Sequence, residues 1–133
     1  MDEEQVLGSV SILRWDGPKR KAGMWSAKFG NIVLTDRRLL FLSTGKSGVT
    51  AQGLLTGRIT GTVDLSKKGS LEIPLVNVVS ASVETRWGLL VVRYLDSHGA
   101  EKATTFAEQV AGMPDGGAWA SSIINAKAAL GSS

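Results

Sequence analysis

Lysine and arginine are the side chains here whose type and spacing could do chemistry. Lys19, Arg20 and Lys21 stand in tandem, and Lys28, Lys46 and Arg58 follow. Adjacent cations on a surface attract phosphate, whether of a lipid headgroup or of a nucleic acid. The formal net charge is +3, and residues 1–50 alone hold eight basic and five acidic residues. From Arg14 to Lys46 the count is eight basic against two acidic, so the excess charge is concentrated in the first third of the chain. The same residues could equally be the solvated faces of strands and loops, and the cluster does not by itself choose between these readings.

Catalytic chemistry finds little material. The single histidine, His98, lies in a polar turn with no sequence neighbour that suggests an orienting role for a carboxylate, which argues against a histidine base or triad. There are no cysteines, so thiolate metal sites and disulfides are excluded, and after the acidic start the acids are scattered singly rather than at metal-ligand spacing. Neither a Walker-type loop nor a Gly-x-Gly-x-x-Gly turn opening a helix occurs among the 16 glycines. The residues give no positive case for an enzyme, a cofactor or a metal.

The elements that must position the cations are mainly strands. At 133 residues the chain is sized for one domain, 1–133. Ile32-Val33-Leu34 and Leu39-Leu40-Phe41-Leu42 flank Thr35-Asp36-Arg37-Arg38, and such short branched runs around a polar tetrad predict a central β-hairpin with Asp36 bonding turn amides. Before it, Glu3–Leu7 reads as a helical turn or the lead into a strand. Val10–Trp15 reads as a strand broken by Asp16-Gly17-Pro18, and 22–29 as an extended segment ending at Gly30. The basic tandem therefore falls in the connection between the first two strands. After the hairpin, Pro74 marks an edge or a bulge in the strand signals of 71–76 and 78–85. Leu89–Leu95 and Lys102–Ala107 form a hairpin about Asp96-Ser97-His98-Gly99. Trp119, Ile123, Ala126 and Leu130 recur at helical spacing behind Asp115, a candidate N-cap, which predicts one C-terminal helix over 117–130 with its tryptophan in the core.

Residues 45–70 carry six glycines together with Val49, Leu54, Leu55, Ile59, Val63 and Leu65. Gly53, Gly57 and Gly61 would line one face of a helix, yet three internal glycines cost a free helix about 3 kcal/mol. A docked helix and an extended segment folded back on the sheet both remain open. In either case six large apolar residues need cover, from the outside of the sheet or from a neighbouring subunit.

Several motifs together resemble the GRAM and bacterial or archaeal pleckstrin-homology-like domains. They are Gly30, the apolar run, Leu34-Thr35-Asp36, the basic pair Arg37-Arg38 and Leu39-Leu40-Phe41. Glu4 to Leu7 precedes them, Ile73-Pro74-Leu75-Val76-Asn77-Val78 follows, and Trp119 lies on the last helix. The likeness runs from about Glu3 to Leu130, and the long glycine-rich 45–70 insertion departs from it. It implies a β-barrel or two-sheet roll of about seven antiparallel strands with one C-terminal α-helix. Pleckstrin-homology domains commonly bind anionic headgroups at the loop joining their first two strands. Bacterial and archaeal relatives are not in general phosphoinositide binders, so no ligand carries over.

Two functions from different classes follow. One is a peripheral membrane module using Lys19, Arg20, Lys21, Lys28, Lys46 and Arg58 on an anionic lipid surface. The other is a protein-interaction or homo-oligomerisation module using a sheet edge or Leu54, Leu55 and Ile59. Nucleic acid is disfavoured, because the Trp and Phe residues fall where a small barrel needs its core. The acidic start and the absence of a run of about 20 apolar residues point to a cytoplasmic, possible peripheral-membrane setting.

Overall fold

A computed structural model describes residues 4–19, 27–43, 58–59, 65, 69–108 and 111–131. Eight strands and one helix follow in chain order: β1 (Glu4–Asp16), β2 (Lys28–Thr35), β3 (Arg38–Ser43), β4 (Arg58–Ile59), β5 (Leu71–Pro74), β6 (Val78–Val83), β7 (Leu90–Leu95), β8 (Glu101–Ala107) and α1 (Gly116–Gly131). A 3-10 turn, Leu75–Asn77, joins β5 to β6. Seven strands lie in the order β5-β3-β2-β1-β8-β7-β6, and β4 pairs with β1 off that path. Every pairing is antiparallel. The protein is therefore mainly β with a single C-terminal helix among the described residues, and that helix is not long and apolar enough to cross a membrane.

The choice at Glu3–Leu7 falls to strand: β1 begins at Glu4 and runs for 13 residues. A register shift between Val6 and Gly8 keeps Ile12 on the inner face, while Leu13 and Trp15 turn outward. The expected boundary at Gly30 does not exist, because β2 passes straight through it. Glycine is needed there for space, since a Cβ would sit 2.3 Å from the Leu42 carbonyl oxygen on β3.

The central hairpin forms between β2 and β3 with Asp36-Arg37 as its turn. Its chemistry differs from the expectation. The Thr35 hydroxyl, not Asp36, accepts from the amides of Arg37 and Arg38, each at 3.0 Å. Asp36 reaches across to β1, where its carboxylate accepts from the Gln5 amide at 3.1 Å and its own amide donates to the Gln5 carbonyl. Glu4, only 7% exposed, closes the assembly. It accepts from Arg38 Nε and Nη2, both at 2.8 Å, and from Thr35 Oγ1 at 2.6 Å.

The two apolar runs are continuous because both faces of β2 and β3 are covered. Ile32, Leu34, Leu39 and Phe41 face the main core, and the alternate residues Val33, Leu40 and Leu42 form an outer cluster with Val6 and Leu65 against it. Leu65 belongs to the 45–70 insertion and packs on the outside of the sheet. Leu54 and Leu55 lie outside the described residues, and Ile59 pairs with Glu4 through β4.

At the far side of the molecule Pro74 ends the edge strand β5, and β7 and β8 form the expected hairpin. Ile123 and Ala126 of α1 are buried in the main core with Trp119 and Leu130 packed beside them, as the helical spacing predicts. Asp115 occupies the N-cap place with a left-handed backbone (φ 52°), and its carbonyl accepts the first helical bond, from the Trp119 amide at 2.9 Å. The helix packs along β6: Gly116 lies against Val83, and Lys127 Nζ donates to the Val78 carbonyl.

Candidate functional site

Arg14 alternates with the outward Leu13 and Trp15 and so points inward. Its guanidinium is 4% exposed yet well bonded: Nη1 donates to Asp16 at 2.7 Å and to Thr104 Oγ1 at 3.1 Å, and Nη2 donates to the Gly69 carbonyl at 2.9 Å. It also lies 5.4 Å from the centre of the Phe41 ring. Lys28, opposite Arg14 across β1 and β2, donates to the other Asp16 oxygen at 3.2 Å. Burial would push the Asp16 carboxyl upward, but the bonds and charges of Arg14 and Lys28 outweigh it and hold the group below its ordinary value.

Beyond Asp16 the chain turns on Gly17, whose backbone φ of 94° is left-handed. The Gly17 amide donates to the Ala103 carbonyl at 2.8 Å, and Thr105 Oγ1 donates to the Gly17 carbonyl at 2.9 Å. This turn sends Pro18 and Lys19 across to the connection between β6 and β7, residues 84–89. That connection is tied down at several points. Glu84 N–H donates to Leu89 O at 2.8 Å, Gly88 N–H to Glu84 O at 2.9 Å, and Met113 N–H to Gly88 O at 2.8 Å, while the Glu84 carboxylate accepts from the Trp87 amide.

The connection holds a large aromatic side chain in solvent. Trp87 is 59% exposed, and the Arg86 guanidinium lies 5.1 Å from its ring centre. Between the two connections is a cleft of about 410 Å³ lined by Pro18, Lys19, Glu84, Arg86, Trp87 and Leu89. Behind it Leu13, Trp15, Leu89 and Ala107 make a small apolar cluster against which Ala27 packs. Phe29, paired with Leu13, is 52% exposed on the same face. Two cations, an indole, an apolar wall and a carboxylate already engaged with backbone make a surface for an anionic, partly apolar ligand.

Of the cations singled out from sequence, Lys19 lines this cleft and Lys28 is paired with Asp16. Arg58 is not brought to them: it pairs with Gln5, about 36 Å of strand contour from Asp16. Arg20, Lys21 and Lys46 lie outside the described residues. Arg86 and Trp87 were not singled out, although a basic–aromatic–glycine triplet between two strand runs is a signal for an indole held in a connection rather than in the core. His98 sits in the β7–β8 turn, where its amide and that of Ala100 donate to the Asp96 carboxylate at 2.8 and 2.9 Å. Those backbone bonds hold Asp96 below its ordinary value. Among the described residues no three His, Asp or Glu side chains gather as a metal would require.

A shallower groove of about 290 Å³ runs between β1 and α1, with Leu7, Ser9, Trp119 and Ser122 on its walls. Trp119 thus serves the core on one side, and on the other its indole lies over Gly8. No protein-family model matches the chain, and no curated protein is significantly similar to it.

Proposed function

We propose that this chain is a non-enzymatic, pleckstrin-homology- or GRAM-like binding module that associates peripherally with anionic membrane surfaces through the Lys19–Arg86–Trp87 cleft. The observation that carries the reading is the exposed Trp87 held on a rigid connection between two cations. An indole with its ring accessible partitions to the boundary between headgroups and acyl chains, and lysine or arginine beside it is drawn to anionic lipid. Arg20 and Lys21, next in the chain after Lys19, extend the same charge. The seven antiparallel strands and the single C-terminal helix support the family half of the proposal.

Co-sedimentation with phosphatidylcholine vesicles containing phosphatidylserine tests it. Each cation near such a surface contributes about 1 kcal/mol, so Lys19→Ser with Arg86→Ser should weaken binding about 30-fold. Replacing Lys19, Arg20 and Lys21 together should cost on the order of a hundredfold. Raising the salt should weaken the parent, whereas the loss caused by Trp87→Ser should persist in high salt because its origin is apolar. A parent that ignores the anionic vesicles, or cation variants that bind them as well as the parent does, would overturn the proposal.

A further inference from the structure

Among the residues lining the Lys19–Trp87 cleft, Glu84 alone carries a charge that repels an anion. It is also firmly placed. Its amide donates to the Leu89 carbonyl at 2.8 Å, its carbonyl accepts from the Gly88 amide at 2.9 Å, and its carboxylate Oε1 accepts from the Trp87 amide. Backbone bonds on both sides of the residue thus fix the carboxylate in the cleft wall. Its second oxygen, Oε2, has no partner among the described residues, and neither the Lys19 ammonium nor the Arg86 guanidinium forms an ion pair among them. The cleft therefore offers two unpaired cations and one half-satisfied carboxylate.

We infer, resting on the membrane reading above, that this cleft selects a headgroup carrying phosphate, carboxylate and ammonium together, that of phosphatidylserine, and that Glu84 is the residue that selects it. Phosphatidylglycerol carries the same net charge near neutral pH but has hydroxyls where the serine lipid has its carboxylate and ammonium. It leaves one cation without an anion and brings negative charge against Glu84. The serine headgroup supplies an anion for each cation and an ammonium for Glu84 Oε2. A site that holds a charge in readiness rejects the analogue lacking its partner, because that charge is then desolvated and unpaired. Size agrees. At about 410 Å³ the cleft falls within the range of roughly 300–1,000 Å³ that small-ligand sites occupy, so a headgroup can enter it.

Co-sedimentation of the full chain with phosphatidylcholine vesicles holding equal fractions of phosphatidylserine or phosphatidylglycerol tests the inference. A partly exposed ion pair sets the scale, so the parent should bind the serine lipid about fivefold more tightly. Glu84→Gln keeps an oxygen for the Trp87 amide while removing the charge. It should bind phosphatidylglycerol more tightly than the parent does and bring the two lipids within about twofold of each other. Soluble glycerophosphoserine should compete with the serine vesicles better than glycerophosphoglycerol does, which separates the headgroup from the rest of the lipid. If Glu84→Gln fails to fold by circular dichroism, the parent's preference and this competition decide the matter. A parent that sediments with neither vesicle overturns the membrane reading and this inference together. Equal binding of the two lipids by the parent, equal competition by the two soluble headgroups, or a preference that survives Glu84→Gln overturns the inference and leaves the membrane reading standing.

Discussion

Replacing Glu4 by glutamine removes one charge from the knot that ties the start of β1 to the central hairpin. In the parent the carboxylate receives two bonds from Arg38 and one from Thr35, all at 2.6–2.8 Å, with the Glu4 side chain 8% and the Arg38 side chain 19% exposed. Breaking a fully buried pair costs about 3–5 kcal/mol. The amide oxygen of glutamine still accepts one bond, and Arg38 keeps Glu72 at 3.0 Å, itself 40% exposed, which reduces the expected loss to about 2 kcal/mol. For a chain of this size that lowers Tm by about 6–10 °C at neutral pH. Burial raises the Glu4 carboxyl, but the bonds from Arg38 and Thr35 and the charges of Arg38 and Arg37 outweigh it, and the group ends below its ordinary value of 4.5. A depressed carboxyl stabilises fully above the unfolded value, and that contribution is lost as pH falls through the folded one. Thermal melts of parent and variant should therefore differ most above about pH 5 and converge in acid. Equal melting temperatures at neutral pH, or a gap that survives unchanged to about pH 2, would refute the reasoning.

Two further outcomes test the sheet and the site. Gly30→Ala should cost about 3 kcal/mol or more in urea unfolding, because its Cβ would meet both the Leu42 carbonyl and the Phe41 ring at under 3 Å and backbone cannot move away cheaply; a loss below about 1 kcal/mol refutes that. Asp16→Asn releases the clamp on Arg14 and Lys28, so it should destabilise the chain by about 1 kcal/mol yet strengthen binding to phosphatidylserine vesicles about fivefold. Weaker vesicle binding in a folded Asp16→Asn variant would count against the membrane reading.

The strands were legible wherever burial leaves a periodic trace. Leu39–Leu42 is continuous because both faces are covered, and Trp119, Ile123, Ala126 and Leu130 mark the one stripe the helix buries. What sequence could not show is pairing across distance. Glu4 and Arg38 are separated by 34 residues, and nothing near either predicts that they meet. Thr35 reads as one more strand residue, although its hydroxyl organises the turn, and Asp36 was the more conventional choice for that task. The cleft is legible in halves only. The basic tandem announced Lys19, but Arg86 and Trp87 join it because the Gly17 turn lays one connection beside the other, and that is a consequence of topology.

β1 is the middle strand of the order, and its two neighbours in that order, β2 and β8, reach it at very different times. β2 follows within one connection, whereas the pairing of Arg14 with Phe106 spans 92 residues. A ribosome adding about 5–20 residues per second needs about 5–20 s to cover that interval. Throughout it Leu13 and Trp15 have no β8 to lie against, and one edge of the nascent sheet stands open. Contacts of such high order also slow refolding in free solution, since a long loop must close before any of them is made. During synthesis, then, the outer face and one edge of the central strand stay uncovered until β8 is made, which is the kind of surface through which nascent chains associate.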